Sequence, residues 1–214
     1  MNTLRFNRRQ ISGLFWQLLD QVDRSRFWPV PADHHFDRLR ASADYNTGSL
    51  TRDDMADLIS IASYFKPKIL AEVGTFIGRS TYALAVGSGS DALIYTCDAS
   101  NDIPLPDMPP DAAKVIRNPR SSSVEMFNRM LADGYANRVD LFFIDGRLTE
   151  ADLILINQLS HERTVLVLDD FEGIEKGVDN AMLLGNQNHL LIYPRTEGKT
   201  ALLIPVALLQ LTAQ

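Results

Sequence analysis

In this 214-residue chain, glycines and carboxylates at the ends of apolar runs are the residues whose types and spacing could do chemistry. The run Ile69-Leu70-Ala71-Glu72-Val73 leads into Gly74-Thr75-Phe76-Ile77-Gly78-Arg79-Ser80. Gly74 permits a tight turn and close backbone approach by a ligand, and Gly78 lets a helix start close to the strand. Free N–H groups at such a helix start bind an anionic or polar group. The next apolar run ends in Asp98. A carboxylate at that place accepts from both hydroxyls of a ribose. Together, the glycine turn and the acid on the neighbouring strand read as a nucleoside site; the competing reading is a structural turn with an incidental acid. The spacing is Gly-x-x-x-Gly. A dinucleotide fingerprint needs a middle glycine so that backbone can touch a pyrophosphate, and Phe76 stands there instead. This points away from NAD and toward a nucleoside without a diphosphate. Two further apolar runs also end in acids, Leu141–Asp145 and Thr164–Asp169, the second followed by Asp170.

Alternating strands and helices must hold these groups. Ile11, Leu14, Phe15, Leu18, Leu19 and Val22 make one apolar stripe of an amphipathic helix. A polar loop through Tyr45-Asn46-Thr47-Gly48 follows it. Thr51 with Asp54 predicts a helix start, Met55, Leu58, Ile59 and Ala62 its buried face, and Pro67 its stop. Strands are then predicted at 69–73, 93–98, 115–116, 141–145, 164–169, 189–193 and 200–204. Helices are predicted at 79–87, 121–131, 149–158 and 173–184. A proline-bearing loop covers 99–120. Near-continuous apolar strands separated by helices mean a parallel sheet covered on both faces. The last two strands are joined by too short a linker for a crossover, so they pair antiparallel. The expected fold is α/β: a Rossmann-like, doubly wound, mostly parallel seven-stranded sheet with a C-terminal antiparallel hairpin and an N-terminal helical segment. Residues 1–44 form a helical lid or appendage and 45–214 the nucleoside-binding domain. Right-handed crossovers put the strand carboxyl ends on one edge, where ligands bind.

Composition narrows the function classes. The chain is 45% apolar and 22% charged, ordinary for a globular protein. Cys97 is its only cysteine, so no internal disulfide forms and a cytoplasmic setting is expected. With His34, His35, His161 and His189 as the only histidines, a Cys/His zinc site is excluded. A net charge of −6 argues against nucleic-acid or acidic-membrane partners. No apolar run approaches the ~20 residues that span a bilayer. Residues 1–40 carry seven Arg against four Asp, a basic segment that meets an anionic partner or lies solvated against an acidic body. Its apolar stripe also suits a homodimer contact.

The chain resembles the class I S-adenosylmethionine (SAM)-dependent methyltransferases, with closest resemblance to small O-methyltransferases of the catechol and caffeoyl-CoA type. Four stretches carry the likeness: Glu72-Val73-Gly74 through Ser80, Tyr95-Thr96-Cys97-Asp98, Asp140 through Gly146, and Leu166 through Asp170. The resemblance implies that Asn46, Thr47 and Gly48 touch the methionine moiety, and that Glu72, Gly74, Thr75, Phe76, Gly78 and Ser80 line that side. It implies that Asp98 holds ribose and that Ser122 and Ser123 contact adenine. In metal-dependent members, carboxylates matching Asp145, Asp169 and Asp170 hold a divalent cation such as Mg²⁺, which orients and acidifies a substrate hydroxyl. Asp145 equally suits the SAM amino group or a helix cap, and the Asp169-Asp170 pair a helix N-terminus. Asp145, Asp169 and Tyr45 are the candidate catalytic groups.

One departure stands out. The family's aspartate is usually followed closely by Lys or an Asp-His pair, whereas here Gly146-Arg147-Leu148-Thr149 follows. Arg147 stays protonated and cannot be a base. The expected activity is O- or N-methylation of a small molecule. The alternative is a SAM-consuming enzyme that cyclises or transfers the aminobutyrate part and releases methylthioadenosine. A non-catalytic SAM-binding protein is a third reading.

Overall fold

The computed structural model describes residues 49–100, 102–170, 174–184, 189–192, 200–205 and 207–208. The expected N-terminal helix and lid, and with them Tyr45, Asn46, Thr47 and Gly48, lie outside the described residues.

Helix α1 (Arg52–Phe65) starts where Thr51 predicts. The Thr51 hydroxyl accepts from the Asp54 N–H, and the Asp54 carboxylate accepts from the Thr51 N–H, a reciprocal cap. Lys66, in the left-handed conformation, ends the helix just before Pro67. Strand β1 (Ile69–Val73) follows, then α2 (Arg79–Ser88), β2 (Leu93–Asp98) and β3 (Lys114–Pro119). After them come α3 (Ser123–Ala132), β4 (Val139–Ile144), α4 (Glu150–Leu159) and β5 (Ser160–Leu168). A π-helical turn (Ile174–Val178) leads into the short helix α5 (Asp179–Leu184), and β6 (His189–Ile192) and β7 (Ala201–Pro205) close the chain's order.

The seven strands form one sheet in the order β3-β2-β1-β4-β5-β7-β6. Pairing is parallel from β3 through β5. Only β7 runs the other way, between β5 and β6 and antiparallel to both. The chain leaves β1 toward β2 and β3 on one side, and returns to β4 and β5 on the other. That reversal opens a crevice at the carboxyl ends of β1 and β4, the usual ligand place in open α/β sheets.

Period-2 alternation sorts the strand side chains into two cores. Leu70, Ile94, Leu141, Phe143, Val165 and Val167 pack with α1 and α2 on one face. Ala71, Tyr95, Phe142, Ile144, Leu166 and Leu168 pack with α3 and α4 on the other. Phe142 and Phe143 are adjacent in sequence, yet each is fully buried in a different core. Each such burial contributes about 1.5–3 kcal/mol. These two layers therefore hold the strand ends rigidly, and the site inherits that rigidity.

Some boundaries differ from the sequence expectation. Strand β3 has six residues where two were expected; it is the sheet's edge and half-exposed, which hides it from an apolarity test. Strand β5 begins four residues early, at Ser160, because α4 runs straight into it through the polar His161-Glu162-Arg163, of which Glu162 and Arg163 are exposed. The helix expected over 173–184 is interrupted by the π-helical turn. Cys97 is buried and its thiol is pushed up to about 12, chiefly by burial and then by Glu72. The native protein should therefore resist Ellman's reagent and react only in denaturant; fast labelling of folded protein would contradict this packing.

Candidate functional site

The carboxyl ends of β1, β2 and β4 are tied together by backbone. The N–H groups of Gly74 and Thr75 both donate to the Cys97 carbonyl, and the Asp145 N–H donates to the Val73 carbonyl. Gly74 has φ +101, a region open to glycine. A Cβ there would lie 2.6 Å from the Asp145 carbonyl oxygen, so backbone meets backbone at the switch point. Phe76 is also left-handed, at φ 44. Its N–H donates to Asp98 Oδ2 at 2.7 Å, so the acid ending β2 holds the bend that follows β1. Asp98 Oδ1 accepts from the N–H and hydroxyl of Ser100. The pair read from sequence is thus brought together in space.

The bend runs into α2, whose N-cap is Gly78 at φ 84. Ser80 is buried in the first turn, and Arg79 reaches back to the Leu50 carbonyl at 2.6 Å. A small hollow is lined by Ser49, Leu50, Gly74, Thr75, Phe76, Ile77, Arg79, Ser80 and Asp145. Leu105 and Pro106 of the proline loop lie against Gly78 and wall this edge. Glu72 is fully buried below. Its Oε2 accepts from the Thr81 hydroxyl at 2.6 Å, while Oε1 has no hydrogen-bond partner among the described residues. Burial raises its pKa, and hydroxyls of Ser80, Thr81 and Thr96 pull it partly back.

Helix α3 starts beside Asp98, since the Ser121 N–H donates to the Asp98 carbonyl. Ser122 is the N-cap and exchanges hydrogen bonds with Glu125; Ser123 is the first helical residue. Both serines therefore sit at the same edge as Asp98, with Ser122 already engaged in its cap.

Across the crevice, Asp145, Asp169 and Asp170 each offer an oxygen, all within 4.8 Å of one another. By donor type and spacing such a set could hold a hard cation. A side chain already lies among them. Lys176, carried by the π-helical turn, donates from Nζ to Asp145 Oδ1 and to Asp170 Oδ2, the latter at 2.7 Å. As arranged, the triad does not fit a divalent ion until Lys176 leaves. Asp169 Oδ1 has no hydrogen-bond partner among the described residues. Burial, then the neighbouring Asp169, raises the Asp145 pKa against the pull of Lys176. Asp169 is raised by burial and by Asp170. For Lys176, burial works toward the neutral amine, but Asp145 and Asp170 outweigh it and favour the ammonium.

Two residues here escape sequence reasoning. Lys176 supplies the cation absent from the turn after Asp145, and it comes from beyond the next strand. Asn180, on α5, clamps that same turn: its amide donates to the Gly146 carbonyl at 2.7 Å and accepts from the Leu148 N–H.

No sequence-family model matches the chain, and no curated protein sequence matches it either. Solved structures do. The O-methyltransferase TomG from Streptomyces achromogenes, involved in tomaymycin synthesis and solved with SAM, aligns over 94% of this chain and 100% of its own, at TM-score 0.60 and 15% identity. An O-methyltransferase from Bacillus cereus in complex with S-adenosylhomocysteine (SAH) covers 89% and 99%, at 0.57 and 15%. The SAH-bound Podospora anserina methyltransferase PaMTH1 covers 96% and 99%, at 0.56 and 15%. The fold is thus the one these SAM-dependent methyltransferases share. No described helix is long and apolar enough to cross a membrane.

Proposed function

We propose that the protein is a SAM-dependent methyltransferase acting on a small molecule, by O- or N-methylation. One observation carries the reading: the glycine bend after β1 and the acid ending β2 are joined by the Phe76–Asp98 hydrogen bond at the sheet's switch point. The cradle at Gly74, which a Cβ would fill, fits a ligand that lies directly on the backbone.

In this reading Asp98 takes the ribose hydroxyls. A carboxylate has about four lone-pair sites. The Phe76 N–H and the Ser100 N–H and hydroxyl already donate to it, so the Ser100 hydroxyl turns away when ribose binds. Ser122 and Ser123 border adenine. Gly74, Thr75, Phe76, Gly78 and Ser80 lie along the methionine side, with the unfilled Glu72 Oε1 as an acceptor for its ammonium; Asn46, Thr47 and Gly48 complete that side, and Tyr45 hydrogen-bonds the substrate at the crevice rim. Bound SAM supplies a sulfonium-activated methyl carbon. The chain's own task is to align an acceptor behind that carbon, exclude water and take up a proton. Asp145 and Asp169 face the acceptor; their raised pKa values bring them into the range of useful proton acceptors.

Calorimetry with SAM, then incubation with a panel of small phenols, acids and amines read by mass spectrometry, tests this. SAH and methylated product are expected; methylthioadenosine would mean aminobutyrate chemistry, and no SAM binding would refute both. Asp98→Ala should weaken SAM by about 1–3 kcal/mol through lost charge-assisted hydrogen bonds. Unchanged affinity in a folded variant would remove the ribose assignment.

A further inference from the structure

We infer that the Lys176 ammonium is a built-in counter-cation that takes the place of a divalent ion, so that the Asp145–Asp169–Asp170 triad works without a metal. The three carboxylates converge from two points of the chain: Asp145 just past β4, and the adjacent Asp169 and left-handed Asp170 just past β5. Converging acids repel and must be neutralised. Within the described residues, Lys176 does so by touching two of the three at once.

Three features make this more than a passing ion pair. Lys176 is held on a π-helical turn, an irregularity found frequently at functional sites. Its side chain is only 25% exposed, so the contact is shielded from screening by salt. The Asn180 clamp on Gly146 and Leu148 fastens the following helix to the turn beyond Asp145, which fixes the two partners relative to each other. A tethered cation also competes at high effective concentration against any free ion. Mg²⁺ would have to shed waters and evict an ammonium that two carboxylates hold. Asp169 Oδ1, buried beside the occupied pair, has no hydrogen-bond partner among the described residues. The binding claim rests on the triad alone; only its consequence, turnover insensitive to chelators, rests on the transferase reading.

The test uses the full chain stripped of metal, with Mn²⁺ as the probe and the electron-paramagnetic-resonance signal of free Mn²⁺ as the readout. Wild type and Lys176→Arg should leave the ion free into the millimolar range. Lys176→Met should take up about one Mn²⁺ with at least about tenfold higher affinity, since the displaced charge no longer opposes it. Mn²⁺ should raise the melting temperature of that variant alone, and Asp169→Asn in its background should remove the gain. A stoichiometric site in wild type, lost in Asp169→Asn, would overturn the inference; so would a folded Lys176→Met protein that takes up no ion. If Lys176→Met does not fold, wild type and Asp169→Asn still decide. SAM calorimetry on the same samples shows separately whether the cofactor reading stands.

Discussion

Gly74→Ala should cost about 2–5 kcal/mol of folding stability and abolish SAM binding in whatever fraction folds. Two costs add. A left-handed backbone with a Cβ costs about 1–2 kcal/mol, and φ +101 lies well outside the ordinary left-handed well. The new methyl also arrives 2.6 Å from the Asp145 carbonyl oxygen and 3.1 Å from its Cβ. Overpacking of this kind costs about 1–3 kcal/mol when neighbours can shift. Here the neighbour is backbone, held by the Asp145 N–H to Val73 carbonyl bond, so little can move. Gly78→Ala makes the useful contrast. Its Cβ would meet the Leu105 side chain at 2.8 Å and the Pro106 ring at 2.9 Å, which belong to a loop that can give. Urea unfolding of both variants, with SAM calorimetry on each, should rank Gly74→Ala as the worse by both measures. Equal midpoints would mean that the switch point is not clamped as described.

The same clamp explains what the sequence could reveal. Local signals were legible because each has a local physical cause. Thr51 and Asp54 read as a helix start and form a reciprocal cap; the structure shows the same cap at Ser122 with Glu125 and Thr149 with Asp152, where the sequence pattern predicts only helix ranges. Gly74 and Asp98 were legible as a pair because parallel strands put consecutive strand ends on one edge, so spacing along the chain translates into adjacency in space. The order of the last strands was not legible. A hairpin of β6 and β7 satisfies the pattern whichever strand lies inside, and β7 takes the inner place, where its buried Ala201–Pro205 run meets β5. The edge strand β3 was underread because exposure on one side dilutes its apolarity.

Lys176 shows the limit more sharply. Sequence reasoning sought a basic group just after Asp145, where a single turn would deliver it, and found only Arg147. The structure delivers it instead from beyond β5, because β4 and β5 are parallel neighbours whose ends, and the segments leaving them, converge. Nothing in the residues around Lys176 marks it, and the π-helical turn that carries it has no sequence signature of the kind a cap provides.

Lys176→Met should destabilise the protein by about 2–4 kcal/mol near pH 8 and by much less near pH 5. Removing one partner of a buried ion pair costs about 3–5 kcal/mol, because the remaining charge is left uncompensated. The lower figure applies here since Lys176 keeps a quarter of its side chain exposed and Asp170 over a third. The pH dependence has a definite sign. Burial raises Asp145 and Asp169 in the folded chain above their unfolded values, so a proton on either favours folding. That contribution is complete at low pH and fades as pH rises through the folded-state range. Lys176 opposes the shift in both acids, so its loss raises them further and makes the decline with pH steeper. Lys176 itself is raised, and its own contribution is present at every pH below the ordinary lysine value. Subtracting variant from wild type therefore leaves a penalty that grows from pH 5 to pH 8. Urea unfolding at both pH values measures it. A penalty independent of pH would show that Lys176 acts by packing alone, and a larger penalty at pH 5 would reverse the electrostatic account of the triad.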